Sequence, residues 1–502
     1  QIMASIMHLA TLIFIGLTLN IASAQIPSRY RLPNVARPSS YRVEIDTDLT
    51  NFKFSGQVTI NVLTTQSTNN IVLHSRELNI TSTQVIVLNG TNIYYNHTVE
   101  EDTDFLRIYL TYAVPINTPL TLVFHYNAIL GSGNVGYYRA SYVNEGNEVS
   151  HMAITHLEAT NARRAFPCFD QPDYKATFQF ILKRATRYIT ASNARLLQTL
   201  IENDRAIDVY DTTPVMSTYI IAFMVSDYAA LSVWRNDVTY TTYGRFELLA
   251  RGDGSYSLLV GPQAIQVMNN FMTVPYAINK MDQVPVPNEY YKIGAMENWG
   301  MVTYREKYLM YNSERTTASE KQFIATIISH EFAHQWFGNL VTPNWWNYIW
   351  LNEGFATYFE MFITNQIEPT WELMDQFVTS IVQPAMDDDA LDSSRPMTRT
   401  AESPAEIDEQ YDTIVYEKAG SVIRMVAGFL GDSAFRSGLV LYLTTWRFSN
   451  VAPHNLYGSW QTFSPVTLNI SNIMTPWETQ AGYPVVTVTR TGTGNIATLN
   501  QV

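Results

Sequence analysis

Residues 327–338, IISHEFAHQWFG, set His330 and His334 four positions apart with Glu331 beside the first. On an α-helix such positions share one face one turn apart, so both imidazoles can reach a single ion. With only 9 histidines in 502 residues, H-E-x-x-H arises by chance about once in a hundred such chains. That is low enough to pursue and too high to settle the matter. Zinc at a hydrolytic site takes three protein ligands and leaves a position for water. The candidate third ligand is Glu353, in residues 350–356 (WLNEGFA), at the start of the next helical segment. The distance suits a helix ending near Gly338, a loop turned by Pro343 and a returning helix. A glutamate there could equally cap or solvate its own helix. Glu331 has the place of a general base that deprotonates the attacking water.

Around this stretch the pattern is helical. Residues 319–336 carry a capping-box pattern at Ser319 and Gln322, with apolar residues at Phe323, Ile327, Phe332 and Trp336. Helices are also expected over 257–271, 355–363, 371–382 and 421–429. Upstream, short alternating runs such as 41–45 (YRVEI), 57–62 (QVTINV), 84–88 (QVIVL) and 106–110 (LRIYL) are separated by turn residues. That is the composition of a large antiparallel β domain. Alternation returns at 484–490 (PVVTVTR), a hairpin's worth of strand that reads as the start of a further β domain.

Composition narrows the function classes. An apolar share of 46% with 15% charged residues fits folded domains with large cores, and the length suits two to four of them. The balance is acidic, 45 Asp and Glu against 32 Lys and Arg, and no basic stripe interleaved with aromatics occurs, which excludes nucleic acid as a partner. Residues 9–19 form an apolar run followed by Ala22-Ser-Ala24, a secretory signal pattern cut after Ala24, with an uncleaved anchor as the rival. Four sequons, at Asn79, Asn89, Asn96 and Asn469, make those residues glycosylation candidates and favour export. Cys168 is the only cysteine, so core burial rather than disulfides must stabilise the chain. Gln1 and Ile2 ahead of Met3 suggest a fragment of a longer protein.

Further motifs carry a resemblance. Residues 294–298 (GAMEN), 299–305 (WGMVTYR), 163–170 (RRAFPCFD) and 416–425 (YEKAGSVIRM) accompany the histidine motif and Glu353. From about Tyr41 onward the sequence resembles the zinc aminopeptidases of the membrane alanyl aminopeptidase (aminopeptidase N) family. The resemblance implies one Zn2+ per chain held by His330, His334 and Glu353, with Glu331 as base. It implies that Glu297 and Glu158 grip the free α-ammonium of a peptide and that Tyr416 stabilises the oxyanion. It further implies that Ala295 offers backbone groups to substrate, that Met296 helps wall the first side-chain pocket, and that Asn298 belongs to the same binding segment.

There are departures. Residues 345–353 read WWNYIWLNE, with Tyr348 where an acidic residue is common, and Arg395 stands where histidine is frequent. Loss of a carboxylate at Tyr348 would matter if that group supports the metal ligands. Arg251-Gly-Asp253 reads as a turn rather than an integrin-binding tripeptide, and Asp387-Asp-Asp389 as a solvated acidic run.

The expected organisation is a signal at 1–24, an N-terminal β domain at 25–235, a thermolysin-like, mostly helical zinc peptidase domain at 236–476, and the truncated start of a third β domain at 477–502. The expected activity is removal of neutral N-terminal residues from peptides with a free N-terminus, in the secretory pathway or at the cell surface. Any membrane association is expected through a segment outside this chain. The alternative is a weakly active or inactive homologue serving as a surface binding protein, such as a toxin receptor. A lipid epoxide hydrolase is a more distant reading.

Overall fold

The computed structural model describes residues 28–490 and 497–501; the signal expected at 1–24 lies outside them. The alternating runs form strands. Ala36–Asp48 alternates buried and exposed positions and pairs antiparallel with Lys53–Thr64, setting Tyr41 opposite Ile60. Its inward face is apolar, and Tyr41 stacks on Phe178 at 4.6 Å between ring centroids. The strand belongs to a seven-stranded sheet ordered Leu196–Glu202, Arg205–Thr212, Thr177–Ala185, Ala36–Asp48, Lys53–Thr64, Pro119–Ile129, Asn79–Val87. One pairing departs from the antiparallel expectation: Ala36–Asp48 runs parallel to Thr177–Ala185. The long connection between these two strands, which contains a whole three-stranded sheet and two strands of a four-stranded one, gives the room that a parallel return requires.

A five-stranded sheet follows, ordered Ala229–Arg235, Val238–Gly244, Lys280–Val286, Met301–Arg305, Ala295–Met296. Its first two strands form a hairpin whose turn falls at 235/236, the expected domain break. Parallel pairing of Val238–Gly244 with Lys280–Val286 ties both hairpin strands to the strands that follow. The short strand Ala295–Met296 closes the other edge, antiparallel to Met301–Arg305.

The main helical segments are α1 (Ser255–Met272), α2 (Ala318–Ala333), α3 (Trp350–Ile367) and α4 (Ala419–Thr445), the last broken by a kink at Gly431 and packed on α3. Helix α2 begins two residues before the expected capping box. The cap is Thr317, whose hydroxyl accepts from the Glu320 amide while the Glu320 carboxylate accepts from the Thr317 amide. Gln322 instead donates to Gln376 at 2.9 Å. A carboxylate accepts more strongly than a carboxamide and also suits the positive end of the helix, so the acidic pair takes the cap. Helix α2 ends at Ala333, and the chain turns back through Gly338, whose φ of +124° strains any L side chain and where a Cβ would crowd the Asn352 side chain at 3.0 Å.

Helix α3 then returns against α2 and α4. At Gly354 a Cβ would stand 2.6 Å from the Cβ of Ala419, so only glycine admits this approach. The C-terminal strands Val486–Arg490 and Ala497–Gln501 form an exposed hairpin. No helix among the described residues is long and apolar enough to cross a membrane.

Gly354→Ala should push α3 from α4 beside Glu353, lowering stability by about 1–3 kcal/mol. Denaturant melts and zinc content will check this, with zinc retention falling alongside stability.

Candidate active site

The last turn of helix α2 and its C-cap residue present His330 and His334 on one face, and the first turn of α3 brings Glu353 opposite. One Glu353 oxygen lies 3.4 Å from His330 Nε2 and 3.3 Å from His334 Nε2. The three donor atoms fall within 4.8 Å of one another. The second ring nitrogens turn away from this point. His330 Nδ1 meets Glu360 at 2.7 Å and His334 Nδ1 meets the Phe337 carbonyl at 3.0 Å. Each imidazole can therefore give its outer proton to a fixed acceptor and aim the inner nitrogen at the common point, as zinc ligands do. Two nitrogens and a carboxylate form a hydrolytic zinc set, so these residues fit one zinc ion.

The electrostatics agree. Burial pushes the Glu331 carboxyl up to about 8, with Glu297 and Glu353 adding and the two imidazoles opposing. Burial also raises Glu353, but His334 and His330 outweigh it and draw the group down to about 2. Burial alone would lower His334; Glu297 and Glu353 reverse this and lift it to about 9. With protein charges alone, the imidazoles thus hold protons where a cation fits. Glu331 Oε2 and Glu297 Oε1 are buried without a hydrogen-bond partner in the protein, an arrangement that costs free energy unless a ligand answers it.

The GAMEN segment divides between cleft and core. Ala295 and Glu297 face the cleft, while Met296, 1% exposed, turns into the core. Met296 thus stands behind the cleft surface. Asn298 also turns inward, donating to Thr303 at 3.2 Å. The Glu297 carbonyl accepts from Gln335 at 3.1 Å and Asn339 at 2.9 Å, which pins this segment to the end of α2. Carboxylate oxygens of Glu158, Glu297 and Glu353 come within 4.8 Å of one another, so the β domain contributes one wall.

Tyr416 sits in a single wide helical turn, Ile414–Lys418, and its ring lies 6.1 Å from that of His330. Burial, then Glu353 and Glu158, hold its phenol well above the ordinary range, so it stays a proton donor at neutral pH. Together these residues line a cleft of about 790 Å³ that also includes Tyr411, Phe323 and Met361.

Tyr348 is not a partner of either ligand histidine. It packs against the core at the end of the turn Trp346–Tyr348, so the departure there leaves both orienting contacts intact. Sequence reasoning passed over Glu360, Gln335 and Asn339. Glu360 was within reach: it follows Glu353 by seven residues, two turns along the same face of α3. The sequon asparagines Asn79, Asn89, Asn96 and Asn469 are all exposed.

Fold and site thus define a two-histidine, one-glutamate metal site set between a β domain and a helical domain. Comparison with known proteins agrees. Residues 37–220 match the peptidase M1 N-terminal domain, and residues 256–477 match the peptidase family M1 domain. Similar proteins include aminopeptidase N of Bos taurus, 37% identical over 493 residues, covering 93% of this chain and 51% of the relative. Aminopeptidase N of Homo sapiens is 36% identical over 492 residues, with shares of 93% and 51%. The thyrotropin-releasing hormone-degrading ectoenzyme of Rattus norvegicus is 32% identical over 492 residues, with shares of 95% and 45%. The chain belongs to peptidase family M1. It spans about half the length of the curated relatives it matches.

Glu360→Ala should weaken zinc binding about 10- to 100-fold, whereas Tyr348→Asp should leave it unchanged; chelator competition measures both. Zinc must displace the protons held near His334, so its affinity should rise with pH toward about 9. Calorimetry in buffers of different ionisation enthalpy will detect the released protons.

Proposed function

We propose that the protein is a zinc-dependent aminopeptidase that hydrolyses the first peptide bond of peptides with a free, neutral N-terminal residue. The observation that carries the proposal is the carboxylate pair of half-buried Glu158 and buried Glu297 beside the His330, His334 and Glu353 cluster. Zinc held there supplies a Lewis acid that acidifies water and polarises a carbonyl. A peptide α-ammonium answers Glu297 and Glu158, restoring the ionised form that burial disfavours. With the amine fixed, the first peptide bond is the one that falls beside the metal ligands, which accounts for exopeptidase rather than endopeptidase action. The edge strand Ala295–Met296 is hydrogen-bonded on one side only among the described residues, so its free side can pair with extended substrate backbone.

Glu331 then acts as the base: it accepts a proton from the attacking water and passes it to the departing amide nitrogen. The Tyr416 hydroxyl donates to the carbonyl oxygen as negative charge develops there. Apolar lining at Phe323, Ile327 and Met361 supports a preference for neutral side chains. Exposure of the four sequon asparagines supports a glycosylated protein of the secretory pathway or cell surface, the setting of the related ectoenzyme.

Glu331→Gln should lose about 10²- to 10⁴-fold in kcat on alanine p-nitroanilide while still binding one zinc. An active Glu331→Gln protein would refute the base assignment, and a zinc-free wild type would refute the mechanism. Tyr416→Phe should lower kcat about 10²- to 10³-fold with little change in KM. Glu297→Gln should instead raise KM, and an N-acetylated peptide should not be cleaved.

A further inference from the structure

We infer that Arg395 is a positioning residue for Tyr416: its guanidinium clamps Asp412, the residue that caps the turn carrying that phenol, and so sets where the hydroxyl stands in the cleft. The inference rests on the role proposed above for Tyr416.

Arg395 is 8% exposed and does not line the cleft. Its Nε donates to Asp412 Oδ2 at 2.8 Å and its Nη2 to Asp412 Oδ1 at 2.8 Å, a two-pronged pairing. Nη2 also donates to the Gln410 carbonyl at 2.7 Å, and Nη1 to the Pro396 carbonyl at 2.9 Å. The fork therefore grips residues 410 and 412, on both sides of Tyr411.

Asp412 faces the other way as well. Its Oδ1 accepts from the amides of Ile414 at 3.0 Å and Val415 at 3.4 Å. Its backbone carbonyl accepts from the amides of Val415 at 3.1 Å and Tyr416 at 3.3 Å. One aspartate thus joins the guanidinium to the first amides of the turn Ile414–Lys418. Only a planar fork can hold both carboxylate oxygens and a neighbouring carbonyl together; an ammonium, as a point charge, fixes distance but not orientation. Catalytic hydrogen bonds lose strength steeply when a donor is displaced by as little as 1 Å. A looser Asp412 would leave Tyr416 chemically intact but misplaced.

The test is a double-mutant cycle of Arg395→Lys with Tyr416→Phe, read as kcat and KM on alanine p-nitroanilide, with zinc content measured on every variant. Hydrogen exchange of the 411–418 amides is followed in parallel. Arg395→Lys alone should lower kcat about 10- to 100-fold, leave KM within about twofold and zinc at one per chain, and speed exchange at 414–416. In the Tyr416→Phe background it should change kcat by less than about twofold, because the phenol it positions is already gone.

Equal losses in both backgrounds would overturn the inference while leaving the role of Tyr416 standing. Unchanged exchange at 414–416 would overturn it whatever the activity. A Tyr416→Phe protein as active as wild type would overturn the role of the phenol and this inference with it. If Arg395→Lys does not fold, Asp412→Asn enters the same cycle: it keeps the cap acceptor and removes the ion pair, with the same outcomes expected.

Discussion

Concentrated negative charge is the constraint on which the centre of this molecule depends. Glu158, Glu297, Glu331, Glu353 and Glu360 all line one cleft, and among the described residues no lysine or arginine lines it with them. Carboxylates withdrawn from water repel one another strongly and favour neutral forms unless cations join them. The cleft contains two answers to that problem. His330 and His334 form one, with geometry that a divalent ion can take over; the other is open space beside Glu297 and Glu158 that suits an ammonium. Occupancy of both places by cations would balance the charge that the fold gathers here, and each cation would favour the ionised form of the groups beside the other.

Such a cleft requires a stiff frame, because like charges would otherwise spread apart. Several buried amide and hydroxyl groups provide it across the two regions. Asn193 donates to the carbonyls of Ile220 and Trp299, both at 2.9 Å. Tyr219 donates to the Gly338 carbonyl at 3.1 Å and accepts from Asn352 at 3.2 Å. The second of these links reaches from the β domain to the turn after α2 and the start of α3, one residue from Glu353. The buried Arg163–Asp170 pair, at 2.9 Å, explains the RRAFPCFD motif in the same terms. It braces the β-domain segment that follows Glu158, and Asp170 also accepts from Thr218 at 2.7 Å. The β domain is thus a structural wall of the metal site as well as the source of one carboxylate.

How much of this was legible in the sequence follows from what kind of signal each residue leaves. His330 and His334 were legible because helical geometry fixes their spacing locally, whereas Glu353, on the returning helix, was ambiguous by itself and gained its reading from the accompanying motifs. The sheets were legible as alternation, but the parallel pairing of Ala36–Asp48 with Thr177–Ala185 was not, since strands more than a hundred residues apart carry no mark of their partner. Which residues of GAMEN face the cleft was not legible, because a motif read as a unit does not show that Ala295 and Glu297 line the cleft while Met296 and Asn298 are buried behind it. The capping box at Thr317 was missed by two residues, where two overlapping polar patterns compete and carboxylate chemistry decides.

Residues that touch the substrate or metal are held to strict spacing by the chemistry, so they form motifs. Residues that orient them face no such local rule, since any element arriving from any direction can supply the contact. Glu360 reaches His330 from another helix, Gln335 and Asn339 reach Glu297 from the end of α2, and the Tyr416 turn is braced by a loop residue twenty-one positions upstream. Tyr348 shows the same distinction from the opposite side: a conspicuous departure inside a motif lies away from both imidazole contacts, while the group that orients His330 sits outside the motif altogether. For this fold, a substitution near the signature is therefore weaker evidence about the metal site than the identity of the acceptor behind each histidine.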